Sequence, residues 1–362
     1  MNWKPSDELA RFCERWSVDS TGPKRVAERF PFHASRYVMN LVQRPEDPLW
    51  RQIVPHVSEI EDCEGLQDPL SEEALSVVPN LVHRYPSRVL WLVSSVCAAH
   101  CRFCTRKRRW GSPVFLTDAL VEAGLAYIRS HPEVRDVLLS GGDPLLLPAD
   151  RLDAILASLR TIPHVEIIRI GTRAPVFQPQ LIGADLAAML ARHHPLYINI
   201  HFNHPVEITP ESVAACTLLA NAGIPLGSQT VLLRDVNDQV DILAELFQRL
   251  LRLRVRPYYL MQMDLTQGTS HFRTPVHRGL EILHGLRNRI SGLGVPHFVI
   301  DLPGGQGKIP LVPSYVRHVG ADQMLIKDWL GRMCTYPLLP GEARELVTWL
   351  GNLGFKEDVE GL

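Results

Sequence analysis

Three of the seven cysteines fall between positions 97 and 104, in the order Cys97-Ala-Ala-His-Cys101-Arg-Phe-Cys104. Thiolates at this C-x3-C-x2-C spacing can wrap a cuboidal iron–sulfur cluster, ligating three irons and leaving the fourth without a protein ligand, where a substrate could chelate. Soft thiolates suit zinc as well, but a zinc site would want a fourth ligand such as His100, which lies inside the loop and is poorly placed to close on the same ion. Spacing alone leaves a cluster, a zinc site and a chance run of buried thiols all open. Cys13, Cys63, Cys216 and Cys334 are scattered singly and read as small buried hydrophobes.

Other groups could serve such a centre. Ser140-Gly141-Gly142-Asp143 puts two small residues where backbone must approach a ligand, with Asp143 free to accept from a ribose or amino group, although a Gly-Gly turn alone is only a tight turn. Lys308 follows Pro303-Gly304-Gly305-Gln306-Gly307, a loop flexible enough to deliver an amine into a cavity; by itself it reads equally as a solvated charge or a phosphate binder. Arg106 stands in a basic run, Arg84, Tyr85 and Arg88 surround a Tyr-Pro turn, and Asp264 or Asp301 taken alone could each be a helix cap.

The elements that would position these residues follow from hydrophobic periodicity. Apolar, β-rich runs recur at Val89–Ser94, Asp136–Ser140, Glu166–Ile170, Tyr197–His201, Ile224–Leu232, Val255–Met261 and His297–Ile300. Helical patterns with a charged outer face lie between them, among them Asp150–Arg160, Gly183–His193, Pro210–Ala222, Asp238–Leu253 and Val276–Ile290. Near-continuous apolar strands alternating with helices predict a parallel sheet covered by helices, and so many units in one stretch favour a closed or partly open α/β barrel over a doubly wound sheet.

The cysteines follow the first strand, Ser140 to Asp143 the second, and Thr172-Arg173 the third. His201, Asn203 and His204 end the fourth, Gln229 lies in the fifth, Asp264 follows the sixth, and Asp301 through Lys308 follow the last. In barrels the C-terminal rim carries the chemistry, so one cavity would gather all of them. Residues 1 to 85 read as an N-terminal helical extension and 86 to 320 as the barrel core. Residues 321 to 362 read as a C-terminal segment with a short helix, the stretch Pro337 to Pro340, and a helix over Gly341–Leu353.

Composition sets the outer bounds. At 362 residues, 46% hydrophobic and 21% charged, the chain reads as a soluble globular protein with a large core, not a disordered or fibrous one. A formal net charge of −1 offers nothing for phosphate backbones or anionic membranes to select, which argues against nucleic-acid and membrane partners. No window approaches a membrane span and the N-terminus has no apolar signal core, so the expected location is the cytoplasm.

Cys97 to Cys104 resembles the signature of the radical S-adenosylmethionine superfamily, and its continuation Thr105-Arg106-Lys107-Arg108-Arg109 resembles the lysine 2,3-aminomutase family. Further matching stretches are His83-Arg-Tyr-Pro86, Asp136-Val-Leu-Leu-Ser-Gly-Gly-Asp143, Arg169-Ile-Gly-Thr-Arg173, His201-Phe-Asn-His-Pro205, Arg256-Pro-Tyr-Tyr259, His271-Phe-Arg-Thr-Pro275 and Pro303-Gly-Gly-Gln-Gly-Lys308. The resemblance implies a partial (β/α)6 TIM-like radical SAM barrel holding a [4Fe–4S] cluster, S-adenosylmethionine and pyridoxal 5′-phosphate at its rim. It implies an isomerase that moves the α-amino group of L-lysine to the β-carbon, with electrons from a low-potential donor such as flavodoxin or ferredoxin.

Residue by residue, the resemblance implies that Cys97, Cys101 and Cys104 ligate the cluster and that Ser140, Gly141, Gly142 and Asp143 contact S-adenosylmethionine. Lys308 would carry pyridoxal phosphate, with Arg84, Tyr85, Arg88 and Gln229 near it. Arg106 matches the arginine that clamps the substrate α-carboxylate, a planar anion that suits its fork. Asp264 and Asp301 match two aspartates that grip the distal ammonium in lysine-acting members; such a pair offsets the desolvation of a cation and would repel a glutamate side chain.

The sequence also departs from the longer lysine 2,3-aminomutases. Phe103 stands where a histidine often lies, Gln239 replaces a cysteine that helps bind an intersubunit zinc, and the cysteine-rich C-terminal segment is absent after 335. No structural zinc is therefore expected, and any homo-oligomer is expected to be smaller. Neighbouring readings are the shorter branch that makes β-lysine for modification of elongation factor P, whose loop before the cofactor lysine differs, a 2,3-aminomutase for another amino acid such as arginine, and a zinc or iron–sulfur binding module without radical chemistry.

Overall fold

The computed structural model describes residues 5–110, 116–312, 315–328 and 330–352. Five short helices open the chain: α1 (Pro5–Arg15), α2 (Thr21–Arg29), α3 (Arg36–Leu41), α4 (Pro48–Ile53) and α5 (Ser58–Glu61). Local chemistry starts two of them. The Ser35 side chain accepts from the Val38 N–H, and Asp47 accepts from the Leu49 and Trp50 N–H groups, satisfying donors that the first helical turn leaves open.

Ten strands then form one sheet in sequence order: β1 (Ser76–Val78), β2 (Leu81–Tyr85), β3 (Arg88–Ser94), β4 (Asp136–Gly141), β5 (Ile167–Thr172), β6 (Leu196–His201), β7 (Leu226–Leu232), β8 (Val255–Gln262), β9 (His297–Leu302) and β10 (Gly307–Pro310). From β3 to β9 every neighbour is parallel. The order never reverses, so there is no switch point of the doubly wound kind.

Helices α6 (Asp118–Ser130), α7 (Ala149–Arg160), α8 (Ala174–Phe177) with α9 (Ala184–Ala191), α10 (Pro210–Asn221), α11 (Val240–Arg252) and α12 (Val276–Leu286) follow successive strands. Six strand–helix units closed by β9 make the partial (β/α)6 barrel that the alternation predicts. Antiparallel β1, β2 and β10 extend its two edges.

Alternation along each strand divides core from cavity. On β4, Val137 and Leu139 are buried while Asp136, Leu138 and Ser140 line the cavity. The helices answer with apolar stripes such as Leu243, Leu246, Phe247 and Leu250 on α11. Thr209 and Ser212 form a reciprocal capping box at the start of α10, with Pro210 pre-set for its first turn.

Two expectations are corrected. The helical extension ends at Glu61, because Val77-Val78 and Leu81-Val82 flank a Pro79-Asn80 turn, with Asn80 at φ +70°, and build the β1–β2 hairpin on the edge of the sheet. The short helix expected after residue 320 is absent: β11 (Val316–Val319), β12 (Gln323–Lys327) and β13 (Met333–Pro337) form a separate antiparallel sheet. The last helix is present as α13 (Glu342–Asn352), and Leu353 lies outside the described residues. Among the described residues no helix is long and apolar enough to cross a membrane.

Candidate active site

A cavity of about 1030 Å³ lies within the curve of the sheet. Its wall contains the three cysteines, Ser140 to Asp143, Arg84, Tyr85, Arg88, Gln229, Arg106, Asp264, Asp301 and Lys308, with Thr172, Arg173 and His201. Asn203 and His204, expected there too, do not line it, because Asn203 is buried on Gln52 and His204 faces a separate cleft beside Asp47.

The cysteine loop is moored to the N-terminal helices. Fully buried Arg102 donates to both carboxylate oxygens of Glu59 at 2.9 and 2.7 Å, its backbone N–H reaches the Gln52 carbonyl at 2.8 Å, and Lys107 donates to the same Glu59 at 2.7 Å. Burial opposes the charge on Glu59, but the two cations outweigh it and hold its carboxyl below the usual range. His100 pairs with the Pro31 carbonyl at 2.8 Å and stacks on Trp110, and burial lowers its pKa to about 4, so it is a neutral strut of the loop.

Burial, then repulsion from Cys104 and Cys101, pushes the Cys97 thiol well above its ordinary value; Cys104 is raised for the same reasons. Two donors point at the sulfurs: the Arg106 backbone N–H reaches Cys104 Sγ at 3.3 Å, and Arg173 Nη1 reaches Cys101 Sγ at 2.9 Å. Among the described residues, no three His, Cys, Asp or Glu side chains are gathered for a single ion, a condition that a larger cuboidal cluster does not impose.

Ser140 to Asp143 differ from expectation. Gly141 sits at φ +126°, and a Cβ on it or on Gly142 would collide with the backbone carbonyl of Ser94 or Val96. The chain leaving β3 therefore explains the two glycines without any ligand. Asp143 is not free: it is buried, and its carboxylate accepts from Thr172 Oγ1 at 2.6 Å and from the Arg173 and Leu145 N–H groups at 2.7 and 3.1 Å. It ties the end of β4 to the end of β5.

The expected substrate groups are already paired. Glu72, 1% exposed, receives Arg106 Nε and Nη2 at 2.6–3.1 Å, while Nη1 donates to the Gly141 carbonyl at 3.1 Å. Burial works against the Glu72 charge, yet Arg106 and then Arg108 and Arg109 bring its pKa to about 2. Nη1 also reaches Ser140 Oγ at 3.4 Å, so of the five guanidinium N–H donors one, on Nη2, is left for a further anion.

At the other end Lys308 pairs with Asp301, its register partner across β9 and β10, and Arg84 approaches the second Asp301 oxygen at 3.4 Å. Asp264 is pushed up to about 7, first by burial and then by the Asp301 charge, against the pull of Lys308 and Arg84. The Tyr85 hydroxyl accepts from the Lys308 N–H at 2.8 Å, and the Arg88 guanidinium lies 3.8 Å from the Tyr85 ring centre.

Residues 91–247 match the family described as "Radical SAM superfamily", and residues 283–346 match "Lysine-2,3-aminomutase". The L-lysine 2,3-aminomutase of Clostridium subterminale is 46% identical over 91% of this chain and 80% of its own length. This chain belongs to the lysine 2,3-aminomutase family of radical S-adenosylmethionine enzymes. The L-lysine 2,3-aminomutase of Bacillus subtilis is 44% identical over 91% of this chain and 71% of its own. A glutamate 2,3-aminomutase of Clostridioides difficile is 42% identical over 90% and 78%.

The family's isomerases use a [4Fe–4S] cluster, S-adenosylmethionine and pyridoxal 5′-phosphate. The residues present fit these groups. Three thiols with N–H donors aimed at two of them form a soft donor set on one wall. A lysine amine stands in the same cavity beside Arg84, whose Nε is buried with no partner and so has capacity for an anion such as a phosphate ester.

In this aminomutase Phe103, at the expected histidine position, is buried with its edge against His201 at 5.6 Å between ring centres, an apolar wall where an imidazole would be polar. Sequence reasoning missed Glu72 and gave Arg173 no role. Glu72 reads as one charge in an acidic turn, and nothing local marks it as buried.

Proposed function

We propose that this aminomutase moves the α-amino group of L-lysine to the adjacent carbon, giving β-lysine. The observation that carries the lysine reading is the acidic corner. Asp301 accepts a primary ammonium, that of Lys308, and burial together with the Asp301 charge holds Asp264 beside it near 7, so a further cation would be welcome there. A glutamate side chain would bring a third carboxylate to this corner, so like-charge repulsion favours lysine although a glutamate-acting relative is almost as similar.

On this reading Cys97, Cys101 and Cys104 hold the cluster, Ser140 with the backbone of Gly141 and Gly142 borders S-adenosylmethionine, and Lys308 attaches pyridoxal phosphate beside Arg84, Tyr85, Arg88 and Gln229. When bound, the cluster and S-adenosylmethionine supply a carbon radical, and pyridoxal phosphate carries the migrating nitrogen. The chain's own residues orient. Arg106, fixed by Glu72 and by the end of β4, offers its charge and its remaining Nη2 N–H to the α-carboxylate, while Asp264 and Asp301 take the distal ammonium. Fixing both ends of the substrate presents the β-carbon in one orientation. Electrons come from a low-potential donor such as flavodoxin or ferredoxin.

Anaerobic reconstitution followed by turnover on lysine, arginine, ornithine and glutamate tests the reading. β-Lysine is the expected product. Turnover of glutamate with lysine inert would overturn the roles of Asp264 and Asp301, and failure to form 5′-deoxyadenosine would overturn the radical chemistry.

A further inference from the structure

Arg173 directly follows β5, at the start of α8, and its backbone already serves the turn there. Its N–H donates to Asp143 at 2.7 Å, yet its side chain runs back under the cysteine loop. Nη1 donates to Cys101 Sγ at 2.9 Å; Nη2 donates to Gln52 Oε1 at 2.6 Å and Glu207 Oε1 at 3.1 Å. The guanidinium is sandwiched, 3.9 Å from the Phe177 ring centre and 5.4 Å from that of Phe103.

Its partners are themselves fixed. Gln52 and Glu207 are both fully buried, Gln52 Nε2 donates to Glu207 Oε1 at 2.8 Å, and Glu207 Oε2 accepts from the Asn203 N–H at 2.8 Å. Three separate segments thus hold one cationic N–H on one sulfur. Among the described residues, Cys104 receives only a neutral backbone donor.

We infer that Arg173 is a positioning residue that raises the reduction potential of the cluster through its hydrogen bond to the Cys101 sulfur; this rests on the reading that Cys97, Cys101 and Cys104 hold that cluster. A donor to a ligating sulfur withdraws electron density from the iron and favours the reduced state, the more so when the donor is charged and the site is dry. Glu207 works in the opposite sense, since its carboxylate offsets the guanidinium charge. The pair makes the cluster easier to reduce by a hydrogen bond while adding no net charge.

The test compares the parent with the double variant Arg173→Met/Glu207→Gln and the single variant Glu207→Gln, each reconstituted anaerobically without S-adenosylmethionine. Iron content is measured, and the cluster is titrated redox-wise by electron paramagnetic resonance. The double variant removes one charge of each sign, so its shift reads the hydrogen bond. At the parent's midpoint its reduced-to-oxidised ratio is expected to fall about tenfold, about 59 mV for a one-electron couple.

Glu207→Gln alone, which keeps the guanidinium on the sulfur, is expected to shift the other way and serves if the double variant does not fold. An unchanged midpoint at parental iron content overturns the inference. Weaker S-adenosylmethionine binding with an unmoved potential overturns it too, and would assign Arg173 to the methionine carboxylate instead. A parent that retains no iron overturns the underlying site reading, a separate result.

Discussion

Lysine should bind less tightly as pH falls from 8 to 6, and the loss should vanish in Asp264→Asn. With its pKa near 7, Asp264 is about ten-elevenths ionised at pH 8 and about one-eleventh at pH 6, so the carboxylate available to an ammonium falls roughly tenfold. Lysine's own ε-ammonium, with a pKa of about 10.4, stays charged throughout. Its α-amino group titrates identically with parent and variant, so the ratio of their lysine affinities isolates Asp264. Calorimetric binding to cofactor-loaded protein at pH 6, 7 and 8 supplies that ratio.

Stability gives an independent check with the sign fixed by the same shift. Because the folded pKa lies above the ordinary 3.8, the stabilising contribution is complete below pH 3.8, is lost progressively as pH rises toward 7, and is absent above it. About three units at 1.36 kcal/mol each bound the cost at about 4 kcal/mol, so the ligand-free asparagine variant should melt higher than the parent at pH 8 and equally at pH 4. An affinity ratio that stays flat from pH 6 to 8, or a variant that melts lower at pH 8, would refute the reasoning.

Glu59→Ala strands buried Arg102 and Lys107 and should cost about 3–5 kcal/mol, read as a lower denaturation midpoint together with reduced iron uptake. Glu72→Gln frees the face of Arg106 that is now fixed; the expected result is a roughly tenfold rise in KM for lysine with kcat nearly unchanged, by steady-state kinetics. Lys308→Ala should abolish the visible absorbance of attached pyridoxal phosphate while parental iron content and reductive cleavage of S-adenosylmethionine persist.

The parallel strands were legible because burial on the helix side leaves near-continuous apolar runs, and β3 to β9 begin within two residues of where those runs begin. Cofactor chemistry was legible through the family resemblance and not from the residues alone, since three close thiols suit zinc as well as a cluster and a lysine after a glycine loop is as well a solvated charge. Charge partners were not. Glu72 and Arg106 are separated by the whole of β1 to β3, Arg173 meets Cys101 from a different strand, and Asp143 is spent on backbone donors that sequence cannot reveal. The β1–β2 hairpin was missed since its strands are short and follow an acidic stretch, Asp62 to Glu73, that reads as turns. The C-terminal sheet was missed because its strands carry no buried face of their own; β13 is exposed along its length.

On the roles proposed for Lys308 and Asp301, their pairing across one rung of an antiparallel ladder makes the β9–β10 hairpin a caliper, with the cofactor's anchor on one jaw and the ammonium's stop on the other. Backbone hydrogen bonds set the gap between jaws, so side-chain length does the fine gauging. Lengthening the stop, as in Asp301→Glu, shortens the opening by about one methylene and moves the gauge toward ornithine. Diversification of amino-acid choice in such a scaffold would then proceed by exchanging the jaw tips, while a slip of edge strand β10 by one rung would turn Lys308 out of the cavity and leave Asp301, held by the pairing of β9 with β8, in place.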